Sequence, residues 1–163
     1  MRIRRAGAAD AAALATLYRQ RRRWLLARGN RQWRHERFAA PDLRAVIRHS
    51  PVLVATLGDQ VVGAARLHWH DSVFWPDRVG SDAAYVAGLV VATRVAGRSI
   101  SGRLIAAAAK LARARRRSRL RLDCAPLPEL ARLYRRLGFT FVDESGLGGY
   151  RVFRFERALS AGP

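Results

Sequence analysis

The alternation of apolar and polar positions divides the chain into short strand-like and helix-like segments. Ile3 to Arg5 reads as a first strand. From Asp10 the spacing becomes helical, with Leu14, Leu17, Tyr18, Arg21 and Leu25 on one face and Asp10 as the N-cap. Arg21 therefore falls among apolar neighbours. Either its head snorkels to water or an anion meets it at the helix end. Gly29 to Phe38 is a polar, basic loop with Trp33 and His35, and Pro41-Asp42 opens a helix to about His49. Val52 to Leu57, the turn Gly58-Asp59 and Val61 to Trp69 predict a β-hairpin, and Asp71 to Ala83 a loop. Tyr85 to Val91 is a β-rich run, followed by the small-residue loop Ala96 to Ser101 and a helix from Leu104 to about Arg116. Then come a strand, Leu120 to Cys124, and a helix carrying Leu130, Leu133, Tyr134 and Leu137. Thr140 to Asp143 and Tyr150 to Phe155 close the pattern around a Gly-rich turn. The last strand is read with an apolar face and a basic one. The order β-α-α-β-β-β-α-β-α-β-β predicts an α/β fold with a mixed sheet.

At 163 residues, with no repeat or linker, the sequence predicts one domain over 1–163, frayed at about 158–163. The single cysteine, Cys124, excludes a disulfide framework and a cysteine-rich zinc site; at the end of an apolar strand it reads as a buried thiol. No apolar run reaches the ~20 residues of a membrane span, and no apolar leader is seen, so a soluble, cytoplasmic protein is expected. Charge changes the picture more. There are 31 basic and 12 acidic residues, a net charge of +19, and Lys110 is the only lysine. A GC-rich genome accounts for arginine over lysine but not for the missing acids. A field this strong attracts polyanions.

The segment 85–139 carries the candidate chemistry. A strand feeding a loop of small residues at a helix N-terminus collects free backbone N–H groups and the positive end of the helix dipole, which suits a phosphate-bearing ligand. Leu89-Val90-Val91, then Ala96-Gly97-Arg98-Ser99-Ile100-Ser101, then Leu130-Ala-Arg-Leu-Tyr134-Arg-Arg-Leu-Gly138-Phe139 resemble the two hallmarks of the GNAT superfamily of acyl-CoA-dependent N-acyltransferases. The resemblance covers nearly the whole chain. It implies a GNAT-like mixed sheet of about six to seven strands flanked by about four helices. It also implies an acyl-donor site at Val91, Ala96, Gly97, Arg98, Ser99, Ile100 and Ser101. The chain departs from the pattern at four positions. Ala96 replaces the usual Arg/Gln, Ser99 and Ser101 replace small glycine-type positions, and Leu127 stands where many members carry asparagine.

Under the resemblance, a backbone N–H at Leu89 or Val90 polarises the acyl carbonyl, and Gly88 is compatible with a bulge that frees it. Tyr134 protonates the leaving group; by periodicity alone it is a core residue beside Leu130 and Leu137. The strand Tyr85 to Val91 holds no carboxylate base. Substitutes are His70, with His68, Asp71 and Asp82; histidine titrates in the useful range. No third ligand accompanies the histidines, so no metal site is expected. Gly146-Leu-Gly-Gly149 lacks the lysine and helix of a nucleotide loop.

The arginines gather at Arg19 to Arg23, at Arg28, Arg31, Arg34 and Arg37, and at Arg113, Arg115, Arg116, Arg117 and Arg119. Arg132, Arg135 and Arg136 add to them. Trp24 and Trp33 lie among the first two groups, placed for stacking on unpaired bases. A nucleic-acid face would use Arg21, Arg22, Arg23, Arg31, Arg34, Arg113, Arg115, Arg116, Arg117 and Arg119. Charge and altered loop together favour an N-acyltransferase that acts on a small-molecule amine with aminoacyl-tRNA as donor and tRNA as partner, without a firmly implied cofactor. The alternatives are acetyl-CoA-dependent acetylation of a small amine or of charged tRNA, and an inactive GNAT-like module that binds RNA.

Overall fold

The computed structural model describes residues 1–31, 33–34, 36–78, 80 and 82–160, apart from the side chain of Leu147. His35 lies outside the described residues. Among the described residues seven strands form one mixed sheet in the order β1-β2-β3-β4-β5-β7-β6, with four α-helices, so the α/β expectation and its element order hold. The strands are β1 (Arg2–Arg5), β2 (Val52–Leu57), β3 (Gln60–His68), β4 (Ala83–Val91), β5 (Arg119–Cys124), β6 (Thr140–Leu147) and β7 (Tyr150–Ala158). The helices are α1 (Ala11–Leu26), α2 (Ala40–His49), α3 (Ile100–Ala114) and α4 (Pro128–Arg136).

The chain divides into two compact units, 1–66 with 88–107, and 67–87 with 108–163. In the first, β1, β2 and β3 pair antiparallel, with a register shift at Ala55/Thr56. Helix α1 buries Ala11, Leu14, Ala15, Leu17 and Tyr18, a helical stripe matching its sequence period. These pack with Phe38, Leu43, Val54, Ala64 and Val90, each large apolar side chain contributing about 1.5–3 kcal/mol. Asp10 does not cap α1 with its side chain as expected. Its carboxylate instead accepts two hydrogen bonds from Arg4 at 2.7 Å and one from Gly7 N, closing a 3-10 turn at Ala8–Asp10. Fork-to-fork pairing with arginine outweighs a single capping bond.

In the second unit β4 pairs parallel with β5 only from Ala83 to Tyr85, and β5 and β6 flank β7 antiparallel. β6 outruns its expected end at Asp143 because it continues to the turn at Gly148-Gly149, and β7 begins at Tyr150 as expected. β7 also extends through Ala158, and Leu159 N donates to Ser118 O at 2.7 Å, so fraying does not begin at 158; residues 161–163 lie outside the described residues. The basic face expected on β7 is not solvent-facing at Arg154, which is 5 % exposed. Its guanidinium donates to Asp143 at 2.6 Å and Asp77 at 2.5 Å and lies 4.7 Å from the Trp75 ring. Arg121, equally buried, donates to Glu156 and to the Tyr85 hydroxyl. Arginine was tolerated inside this unit because carboxylates and aromatic faces surround it.

Candidate functional site

In the first unit the key feature is a kink in β4. Gly88 has φ +59, a left-handed conformation that an L side chain adopts only with strain. A Cβ there would meet the Tyr18 hydroxyl at 3.0 Å and Arg66 Nε at 3.1 Å, so a side chain would also crowd both groups. The Gly88 carbonyl is turned to accept from Tyr18 at 2.7 Å. Burial pushes the Tyr18 phenol up to about 12, with the Arg66 charge opposing. Arg66 Nε is buried and has no hydrogen-bond partner among the described residues. Leu89 is half-buried beyond the kink, and Val90 is buried.

The connection from β4 to α3 contains a 3-10 turn at Thr93–Val95, then the exposed run Ala96, Gly97, Arg98 and Ser99. Gly97 at φ +83 and Ser99 at φ +55 both lie in the left-handed region. Helix α3 begins at Ile100, earlier than the expected Leu104, with Arg103 N donating to Ser99 O at 3.1 Å. Ile100 and Ser101 therefore belong to the first helical turn rather than to the loop, and the Ile100 side chain is in the core. What those positions offer a ligand is backbone: the first N–H groups of α3 have no intrahelical acceptor.

In the second unit Tyr134 is 8 % exposed, packed edge-on to Phe139 and near Phe155. Burial first, then Cys124 and Asp123, raise its pKa, so the phenol keeps its proton at all ordinary pH. The Phe139 N–H donates to Tyr134 O at 3.0 Å, which closes α4 and explains why the Gly138-Phe139 pair follows this tyrosine at fixed spacing. The sequence reading passed over Asp123. Its carboxyl is pushed up to about 6 by burial and by Asp71. A carboxylate embedded in the apolar run Leu120 to Cys124 was the available signal. Burial and Asp123 push the Cys124 thiol up to about 12, an unreactive state.

The other expected bases are placed less suitably. His70 is exposed just past β3. The Asp71 carboxylate accepts from Val73 N and Phe74 N at 3.0 Å, and Asp82 faces Arg119 and Arg121 at 3.3 and 3.6 Å. Among the described residues no cluster of three or more His, Cys, Asp or Glu is placed to hold a metal ion. No helix among them is long and apolar enough to cross a membrane.

Several arginines assigned to a nucleic-acid face make contacts within the chain, although Arg115 and Arg116 remain exposed. Arg119 pairs with Glu156 and Asp82, Arg22 donates to Glu36 O at 2.7 Å, and Arg115 and Arg117 lie 5.0 and 5.9 Å from the Trp69 ring. Arg116, at φ +56, forms the left-handed end of α3. Arg23, Arg31 and Arg113 are exposed, and Arg34 N donates to Arg31 O in a turn. Trp33 is not free to stack on bases, because it packs against Tyr18 and Phe38 at 5.7 Å. Trp24 is exposed, and Arg21 and Arg28 stack on its ring at 4.8 and 3.9 Å. Arg21 is half-buried with its guanidinium over the Trp24 ring, and among the described residues no carboxylate forms an ion pair with it.

The sequence profile of the acetyltransferase (GNAT) family matches residues 14–139. An uncharacterized N-acetyltransferase, YesJ, of Bacillus subtilis (strain 168) is 27% identical over 155 residues, covering 90% of this chain and 85% of that protein. A GNAT-family acetyltransferase of Listeria monocytogenes 4b F2365 superposes with a TM-score of 0.77 at 26% identity, over 97% of this chain and 94% of that one. The putative acetyltransferase yncA of Salmonella typhimurium, solved with its cofactor acetyl-CoA, superposes at TM-score 0.76 and 19% identity, over 100% and 96% of the two chains. The kinked strand, the small-residue loop and the tyrosine helix thus occur on a fold and in a sequence of one lineage, and the chain belongs to the GNAT family of acetyltransferases.

Proposed function

We propose that this protein transfers an acetyl group from acetyl-CoA to the amine of a small molecule. The observation that carries this is the backbone at Gly97 and Ser99. Both are left-handed although Ser99 replaces a glycine-type residue, and a Cβ at Gly97 would meet nothing within 4 Å. An open loop with left-handed residues ahead of a helix N-terminus supports a pyrophosphate-binding reading. Acetyl-CoA, when bound, supplies the activated thioester; the chain's own residues do the rest.

The backbone N–H groups of Leu89 and Val90, beyond the Gly88 kink, polarise the acyl carbonyl, and the Arg66 charge beside Gly88 favours negative charge developing there. Asp123 accepts a proton from the incoming ammonium, since a carboxyl titrating at about 6 is better matched to an amine than an ordinary aspartate. Tyr134, fully protonated at working pH, donates to the departing sulfur. His70 is the second candidate for the base. The donor loop is Val91 with Ala96 to Ser99 and the amides of Ile100 and Ser101.

The reading with aminoacyl-tRNA as donor rests on the net charge of +19. It loses Arg119, which is paired with Glu156 and Asp82, and Trp33, which packs against Tyr18 and Phe38 rather than standing free for bases. The deciding assay follows thiol release from acetyl-CoA across a panel of amines, with and without RNase. Saturable release unaffected by RNase is expected. Failure to bind acetyl-CoA, or transfer only with charged tRNA present, would overturn the proposal.

A further inference from the structure

A cleft of about 330 Å³ lies in the first unit, between the C-terminal half of α1 and the segment Val91–Arg94. Its chemistry is uneven. Leu17, Val91 and Ala92 supply apolar wall, whereas Arg21, Trp24 and Arg94 bring two guanidinium groups and an indole. Among the described residues no carboxylate forms an ion pair with Arg21, Arg28 or Arg94. Arg94 instead donates to the neutral Gln60 amide at 3.0 Å. Arg21 and Arg28 crowd the same Trp24 ring. Burial and the neighbouring Arg28 charge both push the Arg21 pKa down, which is the signature of a half-buried cation lacking a counter-charge. The two arginines buried most deeply, Arg121 and Arg154, are by contrast each matched with carboxylates. With 31 basic residues against 12 acidic ones most arginines are unmatched, so the distinguishing feature is place. Arg21 is half-buried at the wall of a cleft whose rim carries the exposed Arg94, where an anionic ligand would supply the missing charge.

We infer that this cleft binds a small molecule bearing a carboxylate or phosphate, with the anion between Arg21 and Arg94 and its apolar or planar body against Leu17, Val91 and the Trp24 ring. The inference does not depend on which acyl donor the protein uses. The cleft shares Val91 with the proposed donor site but none of the loop residues Ala96 to Ser99. Phosphate and carboxylate ligands share the recognition chemistry, so paired ligands separate them.

The experiment titrates the intact protein, by tryptophan fluorescence and calorimetry without acetyl-CoA, with phosphoethanolamine against ethanolamine and phenylalanine against phenethylamine. In at least one pair the anionic member is expected to bind tenfold or more tightly. Both R21Q and R94Q should weaken it about fivefold or more, while W24F removes the fluorescence change more than the affinity. Thermal melts of each variant check that it is folded. Phosphate selectivity or carboxylate selectivity identifies the ligand class. Equal binding within both pairs, wild-type affinity in R21Q and R94Q, or occupation of the cleft only by an RNA oligonucleotide that small anions fail to displace would overturn the inference. Loss of acetyl transfer with anion binding intact would count against the transferase reading alone.

Discussion

Tyr18 on α1 donates its hydroxyl to the carbonyl of Gly88 at 2.7 Å, holding the kink of β4 from a position seventy residues earlier in the chain. The bond fixes which way the peptide units after Gly88 face, so it belongs to the site as much as to the core. Tyr18→Phe leaves a buried carbonyl without this donor, and should destabilise the protein by about 1–3 kcal/mol. Gly88→Ala adds left-handed strain and crowds the Tyr18 hydroxyl at 3.0 Å, so it should lose more of both stability and acetyl transfer. Urea titration and steady-state kinetics check both. Full activity in a folded Gly88→Ala protein would remove the kink from the mechanism.

Asp123 links function to pH. Its folded pKa, about 6, lies above the ordinary aspartate value of 3.8, so the folded protein binds this proton more tightly than the unfolded chain. Stability therefore falls as pH rises from about 4 to 6 and stays reduced above, by on the order of 1–3 kcal/mol. Asp123→Asn removes that penalty and should be more stable than wild type at pH 7. The same variant should lose the rise of kcat/KM through about pH 6 that a carboxylate base produces. A stabilised variant with an unaltered pH–rate profile would leave Asp123 a structural oddity and return the base to His70.

The sequence made the element order legible because the apolar periods are clean in both halves, and Leu14, Leu17 and Tyr18 identified the buried stripe of α1 directly. The tyrosine helix was legible from Tyr134 to Phe139. Charges were harder to read. A polar or charged position on an alternating strand looks solvated, so Arg154 was placed outside and Asp123 overlooked; only tertiary partners decide such cases. The same applies to Trp33, whose place among arginines concealed its contacts with Tyr18 and Phe38.

The Arg154 network should dominate acid sensitivity in the second unit. Its guanidinium holds the carboxyls of Asp143 and Asp77 below the usual aspartate range through hydrogen bonds. A lowered folded pKa contributes stability that is complete above the unfolded value and lost as pH falls below about 4. Arg154→Ala leaves two half-exposed acids without their shared cation and empties a buried volume, and should lower stability at pH 7. Arg154→Met, which refills the volume, should cost less and unfold with a shallower dependence on pH below 4. Melting curves between pH 3 and 7 make the comparison. An Arg154→Ala protein as stable as wild type would show that these ion pairs merely balance their own desolvation.

Ser99 tests the donor loop itself. Holding a non-glycine residue at φ +55 costs about 1–2 kcal/mol, whereas glycine gives back roughly 0.5–1 kcal/mol through its more flexible unfolded state. The balance favours the shorter residue, and Ser99→Gly should stabilise the protein by about 0.5–1 kcal/mol. Because serine already adopts the conformation, affinity for acetyl-CoA should change little or improve. Ser99→Val cannot hold a left-handed conformation cheaply and crowds the loop, so it should weaken acetyl-CoA severalfold at nearly constant kcat. Calorimetric titration of the variants with acetyl-CoA decides the matter. If glycine and valine at this position left acetyl-CoA affinity equal to that of the wild type, the loop from Ala96 to Ser99 would not be the donor cradle.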